Sequence, residues 1–539
     1  MKNNLAILLG ATSLCASVFG GFKTTEPAYL DAQPMADFDF EALMTTGDRV
    51  PMTGATGSEE YTMVGIPDAS GIYVDPVTGE NIMFMAHELT SGTTSQPIVD
   101  GDTYIGSLVS RWVLDDDASI VSGGLAHQSL YMENAFYSPE PPKAGDGTSF
   151  TRFCSGSFAG PAHGMDRPIF ITNEESTDSF DAQGPQSVAI FDGEMHTLPA
   201  LGRVVRENTV VQPRRDRYTV VVSSEDGGFP SYVYMYVGTK ARRGNALDKN
   251  GFTGGKVYVL GGSNGDAGKN ASTFTDGSIN VEWIEVPNAA SLDASQMKLK
   301  ADEVGGYGFV RVEDMEFDPQ DPTRRLFVAT TGGYGPNRLG RLYEVHFNPR
   351  MPWSTGSMEV IYNADQIVTP GGSIQDAYTG PYYSVNGGPE VQPEYTGYNI
   401  DNGTNFAVSI DNIAVNDNYI VICEDTNSPA NAVYAKYGRN GGVWTLDRNN
   451  DYAAKFQSQF NLDYVEARDN VSLSAGRWEA TGVIDASTAF GPDTFLIEIQ
   501  AHGTDRTNAP DGMGGYLSSS EANTRFAEDG QLLIMRPRL

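Results

Sequence analysis

Short apolar runs separated by turn residues extend along most of the chain. The runs are rich in β-branched and aromatic residues, and turns of the Asp-Gly and Asn-Gly type separate them. Examples with the length of one strand are residues 217–222, 232–237, 256–260, 325–331, 341–347, 419–423 and 495–500. Helical periodicity is limited to two short segments, 289–303 and 453–460. The pattern predicts an all-β protein.

The number and order of these predicted strands limit the possible architectures. Many short strands without alternating helices are typical of a sandwich, a barrel or a propeller, and not of a βαβ sheet. A chain of 539 residues exceeds an ordinary sandwich, so we predict a β-propeller with short helical and loop insertions. No fixed-period repeat is visible, so the residues leave the number of blades open. We interpret residues 21–539 as a single domain, because no low-complexity linker interrupts them.

The N-terminal segment predicts export. Lys2 precedes an apolar run over residues 5–19, and small residues follow at Gly20 and Gly21. The run is short for a membrane span, so residues 1–20 are predicted to be a signal peptide. No later stretch is long and apolar enough to span a bilayer. We therefore expect a secreted or periplasmic protein without a transmembrane anchor.

Composition excludes some partners. The chain has 36 Lys and Arg against 69 Asp and Glu, which gives a formal net charge of −33. Such a charge argues against nucleic acid or anionic lipid as a partner and suits a site rich in cations. Only Cys154 and Cys423 would remain after removal of residues 1–20, and a disulfide between them is left open.

Acidic residues occur in pairs directly after strand-like runs. Four segments share this pattern: 172–175, 223–227, 311–318 and 422–426. Adjacent carboxylates repel each other unless a cation lies between them, and hard cations such as calcium take six to eight oxygen ligands. In a propeller, equivalent strand ends of successive blades meet at one mouth of the channel. The four pairs together predict a multi-cation site, whereas a single pair is also compatible with a solvated turn.

A series of motifs then resembles a known family over residues 65–502. The motifs are Gly-Ile-Pro-Asp (65–68), Ala-His-Glu (86–88), Arg-Phe-Cys-Ser-Gly (152–156), Ile-Thr-Asn-Glu-Glu (171–175), Leu-Gly-Arg-Val-Val-Arg-Glu-Asn (201–208), Val-Arg-Val-Glu-Asp-Met-Glu-Phe-Asp-Pro (310–319), Asp-Asn (411–412), Glu-Asp-Thr (424–426), Glu-Ala-Thr-Gly (479–482) and Ile-Gln-Ala-His (499–502). In order and number they resemble the PhoX family of secreted alkaline phosphatases.

The resemblance implies a six-bladed propeller whose channel mouth holds iron and calcium ions and whose substrate is a phosphate monoester. We expect a monomer. Arg311 matches the family's phosphate-binding arginine. Five residues match its metal-binding carboxylates: Glu174, Glu175, Glu207, Glu313 and Asp425. Two more, Glu225 and Asp226, lie where the family has a further acidic pair.

One position departs from the family pattern. The family has Thr-Cys-Glu-Glu before its glutamate pair, with a cysteine that ligates iron, whereas this chain has Asn173 there. An amide oxygen is a hard, neutral donor that suits calcium better than iron. Calcium is therefore the expected cofactor, with Asn173 as one of its ligands, and iron is doubtful.

Two functions follow from these observations. The first is a secreted, metal-dependent phosphoric monoester hydrolase in which Arg311 binds the phosphate through two guanidinium nitrogens. The second is a calcium-stabilised propeller without catalysis that binds a surface or a partner. Retention of Arg311 and of the carboxylates favours the hydrolase, and Asn173 favours the non-catalytic propeller.

Overall fold

Strands dominate the computed structural model, which describes residues 21–333, 336–367, 406–426, 430–431, 433–434, 439–469, 472–473, 476–509 and 516–538. The predicted signal peptide, residues 1–20, lies outside these residues. Four strands open the described chain: β1 (Leu30–Ala32), β2 (Phe38–Thr45), β3 (Arg49–Pro51) and β4 (Glu60–Thr62).

The strands that follow form three blades and their insertions. Blade 1 with its inserted hairpin consists of β5 (Pro67–Val74), β6 (Asn81–His87), β7 (Thr94–Ser95), β8 (Tyr104–Ile105), β9 (Leu108–Leu114) and β10 (Ile120–Leu125). Blade 2 contains β11 (Ser129–Met132), β12 (Ala135–Ser138), β13 (Phe153–Ala159), β14 (Ile169–Glu174), β15 (Ser187–Phe191) and β16 (Glu194–Thr197). Blade 3 contains β17 (Arg206–Val211), β18 (Tyr218–Glu225), β19 (Val233–Thr239) and β20 (Lys256–Gly262).

The remaining strands form three more blades. A bridging strand and blade 4 are β21 (Gly277–Glu285), β22 (Val312–Phe317), β23 (Arg325–Thr330), β24 (Arg341–His346) and β25 (Thr355–Asn363). Blade 5 contains β26 (Ile410–Val415), β27 (Tyr419–Glu424), β28 (Gly442–Asp447) and β29 (Ala453–Phe460). Blade 6 contains β30 (Glu479–Asp485), β31 (Phe495–Ala501) and β32 (Asp529–Pro537).

Helices are short and lie between strands. Among the described residues the α-helices with defined bounds are Ala246–Lys249, Ala294–Glu303, Leu462–Asp469, Ser487–Phe490 and Ser519–Phe526, and the 3₁₀ turns are Pro161–His163, Pro199–Leu201, Ala289–Ser291 and Ala364–Ile367. No helix in the described part of the chain is both long and apolar enough to cross a membrane.

The described blades close into a ring. The innermost strands β5, β13, β17, β22, β26 and β30 contact one another in succession, and β30 contacts β5. The N-terminal strand β2 pairs with β32 and completes blade 6, so the two ends of the described chain lie in one sheet. A β-propeller of six blades is the result, which confirms the fold predicted from the sequence.

The core lies between the blades. Each pair of neighbouring blades encloses its own apolar cluster, for example Phe84 of blade 1 with Phe170 of blade 2, and Phe327 of blade 4 with Trp444 of blade 5. Both faces of most blades are therefore buried. This explains why the strands read as short apolar runs in which apolar and polar positions do not alternate.

The strand predictions are confirmed, and one helix prediction is wrong. All seven example runs contain or overlap a strand, and residues 289–303 contain the predicted helical turns. Residues 453–460 form strand β29, which pairs with β28 and with the distant β1. Pairing on both edges overrides the local helical pattern there, because tertiary contacts outweigh weak intrinsic propensity.

Each innermost strand carries a β-bulge. In blades 1 to 5 the bulge is close to the start of the strand, and two residues there oppose one residue of the neighbouring strand. The bulged pairs are residues 68–69, 154–155, 207–208, 313–314 and 411–412. A bulge re-aims side chains relative to the regular alternation of a strand, which brings the site residues to one mouth of the channel.

Candidate active site

One mouth of the channel is lined by residues at the start of the six innermost strands. In blades 1 to 5 each of these is the first residue of the bulge, and blade 6 contributes the first residue of β30. In blade order they are Asp68, Cys154, Glu207, Glu313, Asp411 and Glu479.

A second set of carboxylates comes from the neighbouring strands. Glu88, Glu175, Asp226 and Asp425 each follow the last residue of the second strand of a blade. These four residues, together with the six that begin the innermost strands, are called the acidic ring below. The ring contains nine carboxyl groups and one thiol, drawn from all six blades.

The members of the ring lie close together. In four overlapping groups of three, one oxygen or sulfur atom from each residue lies within 4.8 Å of the other two. The groups are Asp68, Glu88 and Cys154; Cys154, Glu175 and Glu207; Glu207, Glu313 and Asp411; and Asp411, Asp425 and Glu479. Because successive groups share a member, nine of the ten ring residues form a continuous set of donors, and Asp226 is linked to them through Arg311.

This crowding changes the protonation of the ring. Burial, followed by the charge of neighbouring ring carboxylates, raises the pKa of Glu207 to about 7 and that of Glu479 to about 8. The same two causes raise the pKa values of Asp68, Glu313 and Asp411. The ring therefore needs either protons or bound cations to neutralise it.

Arg311 lies within the ring and directly precedes strand β22. Its guanidinium contacts three ring carboxylates: Nε is 3.2 Å from Asp226, Nη2 is 3.1 Å from Glu313 and Nη1 is 3.4 Å from Asp425. Its backbone has a φ of 46°, in the left-handed region that few non-glycine residues occupy. Such strain is found preferentially at functional sites.

Arg152 is the counterpart of Arg311 in blade 2. It directly precedes β13 and also has a left-handed backbone, with a φ of 50°. Its Nε is 2.6 Å from Glu88, and its Nη2 is 2.6 Å from Glu175. The Arg152 side chain is 42% exposed against 25% for Arg311, so Arg152 is the more accessible of the two cations.

Hydrogen bonds between blades support the ring from below. The Ser155 hydroxyl donates to Glu207 at 2.6 Å and accepts from the Asn412 amide at 2.7 Å. The Thr481 hydroxyl lies 2.5 Å from the side-chain oxygen of Asn412 and 2.5 Å from the Asp68 carboxylate. Each of these five residues belongs to a different blade, so these hydrogen bonds fix five blades relative to one another.

Six of the nine site residues predicted from the sequence lie in the ring or contact it. They are Arg311, Glu175, Glu207, Asp226, Glu313 and Asp425. Glu174 and Glu225 precede ring members by one residue and are directed into the blades. Glu174 accepts three backbone N–H groups, including that of Phe180 at 2.8 Å, and Glu225 pairs with Lys298 at 3.0 Å.

Asn173, the ninth residue, is buried between blade 2 and blade 3. Its side-chain oxygen accepts the hydroxyls of Ser187 and Thr209, each at 2.7 Å, and its amide donates to the Glu207 carbonyl at 3.3 Å. The residue at the ring in this blade is Cys154, which lies in the bulge opposite Asn173. The asparagine thus leaves the donors of the ring unchanged, and the ring still contains a thiol.

Both cysteines of the described chain are buried and free, so the disulfide left open by the sequence is not formed in this structure. Cys154 contacts Asp68 at 3.2 Å. Burial, followed by Asp68 and other ring carboxylates, raises the pKa of the Cys154 thiol.

Sequence reasoning missed six residues at the site. They are Asp68, Glu88, Arg152, Cys154, Asp411 and Glu479. All of them stand in the motifs that carry the family resemblance, but each occurs without a second acidic neighbour. Their position relative to the strands could have identified them, because five of these six residues lie at the start of an innermost strand or directly before it.

The donor set of the ring fits metal ions. Buried carboxylates that face one another and outnumber the two arginines suit hard cations with several oxygen ligands, such as calcium. The thiol of Cys154 adds one soft donor, which suits transition metals.

Comparisons with known proteins agree with this geometry. The family model of alkaline phosphatase PhoX matches residues 191–503. Among solved structures, "Pseudomonas fluorescens PhoX in complex with vanadate, a transition state analogue" is similar in fold, with a TM-score of 0.58 and 14% identity over 96% of this chain and 97% of that chain. No curated protein matches this chain. The resemblance seen in the sequence motifs is confirmed: the chain belongs to the PhoX family of alkaline phosphatases.

Proposed function

We propose that this protein is an exported, metal-dependent phosphoric monoester hydrolase that acts at the acidic ring. The observation that best supports the proposal is the convergence of nine carboxyl groups, one thiol and two arginines on one channel mouth. Family membership supports a phosphatase. The carboxylates would hold the cations, and the arginines would hold the phosphate.

The two arginines have different parts in this proposal. Arg311 would bind phosphate oxygens, and Asp226, Glu313 and Asp425 hold its guanidinium in place. A fixed guanidinium donates two parallel hydrogen bonds to a phosphate at little entropic cost. Arg152 would approach the phosphate from the open side, because its Nη1 has no hydrogen-bond partner among the described residues.

Cations bound in the ring would polarise the phosphoryl group and lower the pKa of a water molecule. The ring residues, which come from all six blades, would hold such cations. We propose calcium for the groups made of carboxylates alone. The groups that contain Cys154 also have the donor chemistry for iron, so the doubt based on Asn173 no longer applies to them.

The proposal includes an extracytoplasmic location and a single domain. The predicted signal peptide would export the protein, and the strongly acidic composition suits an extracytoplasmic protein that binds calcium. Pairing of β2 with β32 supports the prediction that residues 21–539 form one domain, since blade 6 needs both ends of the chain.

The test is hydrolysis of p-nitrophenyl phosphate by the purified protein, together with elemental analysis of its metals. We expect Arg311→Lys to lower kcat/KM at least about tenfold, because an ammonium keeps the charge and loses the two parallel hydrogen bonds. The matched control is Arg324→Lys, an arginine whose side chain is 60% exposed and which should tolerate the change.

Two results would contradict the proposal. One is calcium in the protein without hydrolysis of any phosphate monoester, which would favour the non-catalytic propeller. The other is equal activity of the Arg311→Lys and Arg324→Lys variants, which would remove Arg311 from the phosphate site.

A further inference from the structure

A large cavity opens beside the acidic ring. Its volume is about 960 Å³, and its lining includes the ring members Glu88 and Glu479 together with Arg152, which contacts the ring. Cavities of roughly 300–1,000 Å³ are typical of small-molecule sites. A phosphate bound at the ring would therefore have space next to it for the organic part of its ester.

The far wall of the cavity is a short helix packed against a loop of blade 1. The helix Ser519–Phe526 begins with a capping box, in which Ser518 and Glu521 exchange hydrogen bonds. Ala522 and Phe526 anchor its buried face. The loop is tied to it where the Thr94 hydroxyl donates to the Thr524 carbonyl at 3.3 Å.

The helix presents polar side chains to the cavity. Ser520, Asn523 and Thr524 have the spacing of one helix face and line this wall. The Ser520 hydroxyl and the side-chain amide of Asn523 have no hydrogen-bond partner among the described residues. Across the cavity, His502 binds Glu528 through Nδ1 at 2.9 Å, and its Nε2 has no hydrogen-bond partner in the described part of the chain.

The walls do not favour an aromatic or acyl group. Apart from the imidazole of His502, no aromatic ring is among the described residues that line the cavity, and hydroxyls and amides predominate over Ile66, Leu89 and Ala527. A nucleobase would find no Phe, Tyr or Trp to stack on among these residues, and an acyl chain would leave polar groups unpaired. Neutral hydroxyl groups, which both donate and accept, match this lining.

Charge narrows the class further. Three carboxylates, Glu88, Glu479 and Glu528, line the cavity, against one arginine, Arg152, which would hold the first phosphate. A second phosphate in the cavity would face these carboxylates, which disfavours it. We propose that the cavity binds the leaving group, and that the substrates are phosphate monoesters of sugars or other polyols with a single phosphate. The proposal rests on the phosphatase function proposed above.

The test compares three substrates: p-nitrophenyl phosphate, glucose 6-phosphate and fructose 1,6-bisphosphate. The double variant Ser520→Leu with Asn523→Leu removes two hydrogen-bonding groups and keeps a helix-forming residue at both positions. The loss of two hydrogen bonds of about 1 kcal/mol each corresponds to a decrease in kcat/KM of at least about tenfold. We expect kcat/KM for glucose 6-phosphate, relative to that for p-nitrophenyl phosphate, to fall by about tenfold or more.

Ser519→Leu is the matched control, because Ser519 is exposed on the same helix and does not line the cavity. It should leave the ratio unchanged. A ratio that the double variant leaves unchanged would overturn the proposal, as would a preference of the native protein for fructose 1,6-bisphosphate. Failure to hydrolyse p-nitrophenyl phosphate would instead refute the phosphatase function itself, so the two failures are distinguishable.

Discussion

Neighbouring carboxylates of this protein lie in two different regions, the channel mouth and the interior of the blades. Asp425 belongs to the acidic ring, whereas Glu424 accepts two hydrogen bonds from Arg439, at 2.6 and 2.8 Å, and one from the Val408 N–H at 2.8 Å. Glu175 and Glu174 differ in the same way. Within each pair, the first residue is neutralised or hydrogen-bonded by the protein.

The ring has few such partners. Its nine carboxyl groups share the two guanidinium groups of Arg152 and Arg311, and burial together with the facing carboxylates raises the pKa values of Asp68 and Glu313. A buried charge without a partner is costly, so it is neutralised by a proton or an ion. The comparison indicates that the interior carboxylates stabilise the blades and that the ring carboxylates are arranged for cations.

The largest expected effect is that of removing cations. Each cation present at about 100 times its Kd contributes about 2.7 kcal/mol to stability, and the ring offers several positions. Chelation at pH 8 should therefore lower Tm by about 5–15 °C, reversibly on addition of calcium. Differential scanning calorimetry would measure the shift. A Tm that does not respond to chelation would show that protons or the arginines alone neutralise the ring.

The next effect separates the two regions by substitution. Glu424→Gln leaves Arg439 with an unpaired buried charge and should cost about 3–5 kcal/mol of unfolding free energy, with or without calcium. Glu313→Gln should destabilise only the calcium-loaded protein and should stabilise the chelated one, because it removes a like charge. Urea unfolding with and without chelator measures both. The same response from both variants would contradict the distinction between the regions.

The smallest effect is a dependence on pH in the chelated protein. Burial and neighbouring carboxylates raise the pKa of Glu207 from 4.5 to about 7 in the folded state, so the folded protein binds this proton more tightly than the unfolded chain does. The stability that this group contributes is present below pH 4.5 and is lost as pH rises to about 7, by about 3 kcal/mol.

Glu207→Gln should remove that loss and make the chelated protein more stable than the native sequence at pH 8. Unfolding free energies measured between pH 5 and pH 8 would test it. Glu59→Gln, at an exposed position, is the control and should follow the native curve. If the unfolding free energy of the Glu207→Gln variant changed with pH as steeply as that of the native protein, the pH dependence would belong to other groups.

Local sequence was sufficient for the strands, the all-β class and the acidic pairs. Apolar runs such as residues 325–331 form strands because both faces of a blade are buried, and their composition records that burial. The carboxylate pairs indicated cations because like charges repel at any strand end. The ordered motifs identified the family, and through it the number of blades.

Tertiary structure decided which member of each pair reaches the channel. Side chains alternate along a strand, so Glu174 and Glu175 cannot both face the ring unless the backbone changes direction, and the bulges that redirect side chains depend on pairing with a neighbouring strand. Asn173 and Cys154 illustrate the same limit, since only the pairing of β13 with β14 places the thiol at the ring. Asp68, Asp411 and Glu479 each stand alone in the sequence, and only the closure of six blades brings them together.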